Sequence, residues 1–160
     1  MQTPPPSADD ALLRCAALET DLRETAARLR HVQEELSWKS AFMDALANSA
    51  MDGIMVVAPQ GRKILQNQRA ADIFQIPRHI TDDPYDTFQV KWVMEMTRHP
   101  DRFIDQVIHL YSHRDEVSRD EIELTDGTVL DRYSSPVLGK DGTHCGRIWT
   151  FHDITDRKRT

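Results

Sequence analysis

Apolar and polar positions follow two different periods along the chain, and the period changes near residue 50. Residues 10–41 contain neither Gly nor Pro, and their apolar positions recur every seven residues, which predicts a long helix with a coiled-coil seam. The a positions of these heptads are Cys15, Leu22, Leu29 and Leu36, and the d positions are Ala11, Leu18, Thr25 and Val32. The seam is imperfect, because Thr25 is polar, and it ends where Lys39 takes the next d position.

Two packing arrangements remain open for this helix. In the first, a parallel homodimer forms through a seam of Leu18, Leu22, Leu29, Val32 and Leu36. In the second, a single amphipathic helix lies on the sheet of its own chain. A helix of about 38 residues would be about 57 Å long at ~1.5 Å per residue, which exceeds what one small domain can cover. The homodimer is therefore the preferred prediction, and the Pro-rich residues 1–9 before the helix are predicted to be disordered.

After residue 50, short apolar runs bounded by turn residues predict strands and short helices. Residues 53–57 and 63–67 form a strand pair around an Ala-Pro-Gln-Gly turn, and residues 68–74 form a short helix that Pro77 stops. Residues 78–100 indicate turns and short helices, and a longer helix follows at residues 101–113. Pro100 at its start suits the first turn of a helix.

The last third of the chain predicts three strands joined by tight turns. Residues 121–124, 128–138 and 146–154 are strand-like, and Asp-Gly-Thr sequences at 126–128 and 141–143 separate them. Pro136 indicates a bulge or a strand end. The whole pattern predicts an α+β fold: a five-stranded antiparallel sheet with helices on one face, preceded by the long N-terminal helix.

Composition narrows the class of protein. The chain has 160 residues, 39% of them apolar, with a net charge of −6 that argues against nucleic acid as a partner. No apolar run is long enough to cross a bilayer, and the first residues lack the regions of a signal peptide. Cys15 and Cys145 lie in unlike contexts, which favours reduced thiols and a cytoplasmic location.

The sequence lacks the motifs of the common enzyme classes. It contains no Gly-rich phosphate loop, no G-x-S-x-G motif and no Cys or His pairs at zinc spacing. His31 lies on the long helix, but no nucleotide-binding loop accompanies it. We therefore predict no catalytic residue, no metal site and no enzymatic activity.

Three motifs together resemble a PAS domain, the sensor module of bacterial signal-transduction proteins. They are the D-G-I strand start at residues 52–54, the N-x-x-A helix start at residues 67–70, and the D-I-T-D-R-K-R ending at residues 153–159. The resemblance implies a coiled coil at 10–41, a PAS domain at 42–155 and the start of an output linker at 156–160.

The resemblance implies a sensory and dimerisation module that relays a signal. Asp153, Ile154 and Thr155 would pass a change in the sheet, caused by a small ligand, into a C-terminal helix and a downstream effector. That effector would be a histidine kinase of a two-component system or a diguanylate cyclase. The alternative is a ligand-free PAS module for protein interaction and dimerisation.

By analogy with PAS domains, alternate residues of the strands face an internal cavity. The pocket candidates are Met55, Val57, Leu130, Arg132, Ser134, Trp149 and Phe151. A buried Arg132 needs an anionic partner, either an internal Asp or Glu or a ligand carboxylate or phosphate. A shift of register by one residue would instead turn Tyr133 inward. The two aromatic residues suit either a plain core or stacking on a planar ligand.

The resemblance identifies no cofactor. The Asn-Cys-Arg-Phe-Leu-Gln helix of flavin-binding light sensors is absent, and Cys145 is badly placed for adduct chemistry. Haem sensors of this fold use a histidine on the helix before the third strand, where His109 and His113 are weak candidates. Polar neighbours such as Asp105 argue against haem.

Overall fold

A computed structural model of the chain describes residues 2–5 and 7–159, and these divide into two compact units between Met43 and Asp44. The helices are α1 (Ala8–Ser49), α2 (Gln68–Ile73), α3 (Arg78–Thr81), α4 (Thr87–Met96), α5 (Pro100–Ser112) and α6 (Thr155–Arg159). The strands are β1 (Gly53–Val57), β2 (Lys63–Gln66), β3 (Ser118–Glu123), β4 (Val129–Leu138) and β5 (His144–Asp153).

Helix α1 has 42 residues and supplies nearly all of the first unit. The Ser7 hydroxyl accepts from the amide of Asp10, and the Asp10 carboxylate accepts from the amide of Ser7, so the two residues cap the first turn reciprocally. The helix therefore begins at Ala8, two residues before the predicted start, because the cap lies at Ser7. All five predicted seam residues, Leu18 to Leu36, are exposed on this helix.

The second unit is built around a five-stranded antiparallel sheet in the order β2-β1-β5-β4-β3. This sheet, the helices and the long α1 confirm the predicted α+β architecture. Strand β5 lies at the centre of the sheet, with Met55 of β1 opposite Trp149 and Arg132 of β4 opposite Phe151. The central position brings the first strand of the unit beside the last one.

Strand β3 begins at Ser118, three residues before the predicted start at residue 121. Arg119 and Asp120 are polar, so the sequence around them lacks the apolar alternation of a half-buried strand. Pairing with β4 makes them part of the sheet, since Asp120 lies opposite Arg132 and Arg119 lies opposite Tyr133. Charged residues are typical of an edge strand, where they discourage pairing with another chain.

Buried Asn67 joins three elements of the second unit. Its Oδ1 accepts from the amides of Ile54 at 2.9 Å and Ala70 at 3.0 Å, so it ties β1 to the N-terminus of α2. Its Nδ2 donates to the carbonyls of Ala47 at 2.7 Å and Asp52 at 2.8 Å. The end of α1, the following turn and α2 are therefore held by one side chain, which explains why an Asn suits this position of the N-x-x-A motif.

Helices α2, α4 and α5 contribute the apolar side chains that cover the inner face of the sheet. The buried cluster contains Val57, Phe74, Val93, Phe103, Val107, Leu110, Ile122, Leu124, Leu130, Trp149 and Phe151.

None of the helices within residues 2–5 and 7–159 combines the length and the apolar character that a membrane-spanning helix needs.

Candidate functional site

A small cavity lies between the sheet and the covering helices. Its volume is about 30 Å³, and Met55, Arg132, Trp149 and Phe151 line it together with residues of α2, α4 and α5. Such a cavity has room for about one or two waters, whereas pockets for drug-sized ligands measure about 300–1,000 Å³. The inner face of the sheet is therefore filled by side chains in this conformation.

The structure brings only part of the predicted pocket set together. Val57, Leu130 and Ser134 are buried, as strand alternation predicts, but they pack outside this cavity. Phe74, the residue that follows α2, fills part of the space by packing edge-on against Phe151, with ring centroids 4.9 Å apart. Phe151 therefore belongs to the packed core here.

Arg132 is buried, with 2% of its surface exposed, while Tyr133 points outward, so the predicted register of β4 is the observed one. Its Nε donates to Asp120 Oδ1 at 2.9 Å and its Nη2 to Asp120 Oδ2 at 2.7 Å. The guanidinium also lies 5.0 Å from the ring centroid of Phe103 and 5.5 Å from that of Trp149. Of the two kinds of anionic partner predicted for Arg132, the structure contains the internal one, the carboxylate of Asp120.

One nitrogen of this guanidinium remains without a partner. Nη1 of Arg132 is buried and makes no hydrogen bond. An unsatisfied buried donor costs about 1–3 kcal/mol, and more when it belongs to a charged group. Asp120 is 37% exposed, so the ion pair connects the apolar interior with the surface. Arg132 is therefore the polar group of the cavity that is least satisfied by its surroundings.

A cluster of polar side chains from β2, α5 and the start of α4 was not predicted from sequence. The Tyr111 hydroxyl donates to the buried carboxylate of Asp86, and burial together with this bond raises the pKa of Tyr111 well above its ordinary value. Buried Gln89 donates to Gln66 at 2.6 Å and accepts from Lys63 at 3.3 Å. Burial lowers the pKa of Lys63, although the nearby Asp83, Asp86 and Asp82 oppose this shift.

Arg147 is a second buried arginine, and its position was not predicted from sequence. Its Nη1 donates to the Ser134 hydroxyl at 3.0 Å, and its Nη2 donates to the carbonyls of Arg114 at 3.0 Å and Glu116 at 2.8 Å. Burial lowers the pKa of Arg147. Arg147 shares strand parity with Trp149, and this was the signal that could have placed it on the inner face.

The D-I-T turn is bonded to the neighbouring strand β4. The amide of Thr155 donates to Asp153 Oδ1 at 2.9 Å, and the Thr155 hydroxyl bonds to the same oxygen and accepts from the amide of Val129 at 3.0 Å. These bonds from Thr155 lower the pKa of Asp153. Ile154 is buried, and its amide donates to the carbonyl of Val129 at 2.9 Å. The turn that precedes α6 is therefore held both by its own Asp153 and by Val129 of β4.

His109 and His113 lie on the exposed side of α5 and its C-cap, with ring centroids 4.1 Å apart. Neither residue lines the cavity. Neither side chain is therefore placed as an axial ligand for a group held in this cavity.

Comparisons with known proteins define the fold. No protein-family model matches the chain, and no curated protein matches it. It is similar to the PAS domain of BvgS from Bordetella pertussis, with a TM-score of 0.56, 19% identity, and coverage of 74% of this chain and 88% of that one. It is also similar to the PAS domain of an HTR-like protein from Haloarcula marismortui, with a TM-score of 0.51, 17% identity, and coverage of 78% and 99%.

A third similar structure is the sensor region of a sensor histidine kinase, with a TM-score of 0.52 and 15% identity. The alignment covers 67% of this chain, which spans only 41% of the length of that structure. These likenesses and the sheet order show that the chain has the fold of PAS domains, as its motifs predicted.

Proposed function

We propose that this chain is a sensory signalling module that relays a change in its core through the D-I-T turn to a C-terminal helix and a downstream effector. The observation that carries the proposal is the path of β5. Trp149 and Phe151 of this strand line the cavity, and Asp153, two residues further on, anchors the turn from which α6 begins.

Strands β3 and β4 give the relay a second connection. Asp120 of β3 pairs with Arg132 at the cavity, and its neighbour Glu121 pairs with Lys158 of α6 at 3.1 Å. On β4, Val129 bonds to the turn and Arg132 lines the cavity. A change in the Arg132–Asp120 pair would therefore shift the two strands that hold α6, which is how a small movement can bias an effector between two states.

A small carboxylated ligand is the signal that the unsatisfied Nη1 of Arg132 favours. A carboxylate would supply the missing acceptor and could bind the guanidinium bidentately. The cavity of about 30 Å³ is too small for an aromatic ligand without movement of Phe74. Ligand binding therefore requires the core to open.

The resemblance to the sensor region of a histidine kinase supports a kinase as the effector. A diguanylate cyclase is the alternative, suggested by the charged D-I-T-D-R-K-R ending. We propose that the chain acts in the cytoplasm and that it has no catalytic activity itself.

A ligand-free interaction module is the second candidate function, and the filled core favours it. Native mass spectrometry of the purified chain, before and after denaturation, distinguishes the two. A dimer that releases a small molecule on denaturation supports ligand sensing. A dimer with the mass of two bare chains, and no shift on adding small carboxylates, supports the ligand-free module.

Helix α1 is proposed to form a parallel homodimer through its exposed seam. Leu18, Leu22, Leu29, Val32 and Leu36 repeat at heptad spacing, and a continuous exposed apolar stripe of this kind is stabilised by a second copy. We expect the wild-type chain to sediment as a dimer at micromolar concentration and the Leu22→Asp, Leu29→Asp double variant to sediment as a monomer. Leu12→Asp, an exposed position outside the seam, is the matched control and should leave the dimer intact. A monomeric wild-type chain would overturn the proposal.

A further inference from the structure

Two histidines and a glutamate meet at the C-terminal end of α5, on its exposed side. His109 and His113 are four residues apart and therefore lie on one face of the helix. Glu116 follows in the segment that leads into β3, and its Oε2 lies 2.7 Å from His109 Nε2. One potential ligand atom from each residue lies within 4.8 Å of the other two. We propose that these three side chains form a binding site for a divalent transition-metal ion.

Hydrogen bonding orients one of the two imidazoles for metal binding. Nδ1 of His113 donates to the carbonyl oxygen of His109 at 2.8 Å, since a carbonyl can only accept. This bond leaves Nε2 of His113 unprotonated in the neutral ring and available as a ligand. Metal-bound histidines commonly donate their other ring nitrogen to a backbone carbonyl in this way.

The buried Arg147 holds the segment that carries the third ligand. Its Nη2 donates to the carbonyls of Arg114 and Glu116, and the amide of Glu116 donates to the carbonyl of His113 at 3.1 Å. The backbone from His113 to Glu116 is therefore fixed from inside the domain, while the three side chains project outward. A segment fixed before the ion arrives loses less conformational entropy when the ion binds.

The type of ligand selects the metal. Two imidazole nitrogens and one carboxylate oxygen suit Zn²⁺ and its neighbours Co²⁺, Ni²⁺ and Cu²⁺, whereas Ca²⁺ and Mg²⁺ prefer oxygen ligands throughout. The potential ligand atoms lie within 4.8 Å of one another, so small side-chain rotations would let all three reach one ion at the ~2.0–2.2 Å metal–ligand distances of zinc. Three protein ligands leave a fourth position for water or for a group on another molecule.

A bound ion would join the end of α5 to the segment before β3. That segment leads to Asp120 and Glu121, which pair with Arg132 and Lys158. The site itself is exposed and lies outside the cavity, so it does not depend on the proposed ligand-sensing function. Binding of an ion to the folded state would also raise the thermal stability of the domain.

Calorimetric titration of the full chain with Zn²⁺ tests the proposal. We expect one saturable site per chain and a higher melting temperature with zinc, and we expect Mg²⁺ to produce neither effect. In the His109→Gln, His113→Gln double variant, affinity should fall by more than about tenfold and the shift in melting temperature should disappear. Circular dichroism of the metal-free variant shows whether it folds, which is expected because both residues are exposed.

His31 and Glu35 provide the matched control, because they form an exposed pair with i,i+4 spacing on α1, at 3.3 Å. His31→Gln should bind zinc like the wild type. Glu116→Gln removes only the carboxylate and leaves both imidazoles in place, so zinc binding should be weaker than in the wild type but not abolished. Absence of saturable zinc binding to the wild type, or unchanged affinity in the folded double-histidine variant, would overturn the proposal.

Discussion

The two ends of the β4–β5 ladder each bury an arginine, and the two arginines are satisfied in different ways. Arg147, beside the start of β5, donates to Ser134 and to backbone carbonyls of residues 114 and 116. Arg132, opposite Phe151 near the end of β5, is paired with a half-exposed carboxylate and keeps one nitrogen without a partner. Neutral acceptors fix the Arg147 end of the ladder. The Arg132 end, beside the D-I-T turn, has an ion pair with one unsatisfied nitrogen, and we infer that this end can respond to a ligand.

Removal of the Arg147 guanidinium should have the largest effect on stability. Arg147→Met leaves the buried Ser134 hydroxyl and the carbonyls of residues 114 and 116 without their donor, and we expect the free energy of unfolding to fall by about 3 kcal/mol, measured by urea denaturation. Arg119→Met is the control, since the Arg119 side chain is exposed although it also makes an ion pair, with Asp131. Similar midpoints for the two variants would contradict the fixed role assigned to Arg147.

Asp120→Asn should have the next largest effect, because it leaves the charge of Arg132 buried beside a neutral partner. Breaking a fully buried ion pair costs about 3–5 kcal/mol, but Asp120 is partly exposed, so solvent reduces the expected loss to about 2 kcal/mol. Urea denaturation measures this loss. We expect small carboxylates such as formate or acetate to restore part of the stability in this variant and not in Arg147→Met. If carboxylates stabilised Asp120→Asn and Arg147→Met equally, the proposed difference between the Arg132 end and the Arg147 end of the ladder would be wrong.

Sequence alone was sufficient for most of the sheet and for the inner position of Arg132. The signals involved are local: Asp-Gly turns between β3, β4 and β5, and the alternation that turns Leu130, Arg132 and Ser134 to one side. The start of β3 was missed because Ser118 to Asp120 are polar and become strand only through pairing with β4. A polar strand at a sheet edge carries no apolar signal of its own.

The polar groups of the core were harder to predict, because each of them depends on a distant partner. Gln89 is buried through bonds to Lys63 and Gln66, and Asp86 through a bond to Tyr111. Nothing within the segment of residues 78–100 indicates these contacts. The volume of the cavity was also beyond prediction, since it depends on how Phe74 packs against Phe151.

Asp153→Ala should have a smaller effect on stability and a large one on signalling. The residue anchors the turn through Thr155 but leaves the buried cluster untouched, so we expect the core to stay folded while α6 loses its fixed start. In a full-length protein, this variant should uncouple the effector from the sensor. Unchanged regulation of the effector would contradict the relay.

Acid titration of stability provides a second readout for the same residue. The pKa of Asp153 is lowered in the folded state by its bonds from Thr155, so its contribution is complete above the ordinary aspartate pKa of about 4. That contribution is lost as the pH falls through the lowered pKa. The stability difference between wild type and Asp153→Ala should therefore shrink below about pH 4. A difference that stays constant into acid would show that the carboxylate makes no such contribution.

The central claim is that the Arg132 end of the sheet, and not the Arg147 end, is coupled to the D-I-T turn. Arg132→Met tests it most directly, because an apolar side chain of similar length in place of a buried charge is often tolerated, with an expected change of less than about 1 kcal/mol. Amide NMR spectra of this variant should show shifted resonances at Val129, Ile154, Thr155 and along α6. The amides of residues 113–116, held by Arg147, should stay unchanged. Shifts confined to the neighbours of residue 132, with the turn and α6 unaffected, would contradict the account.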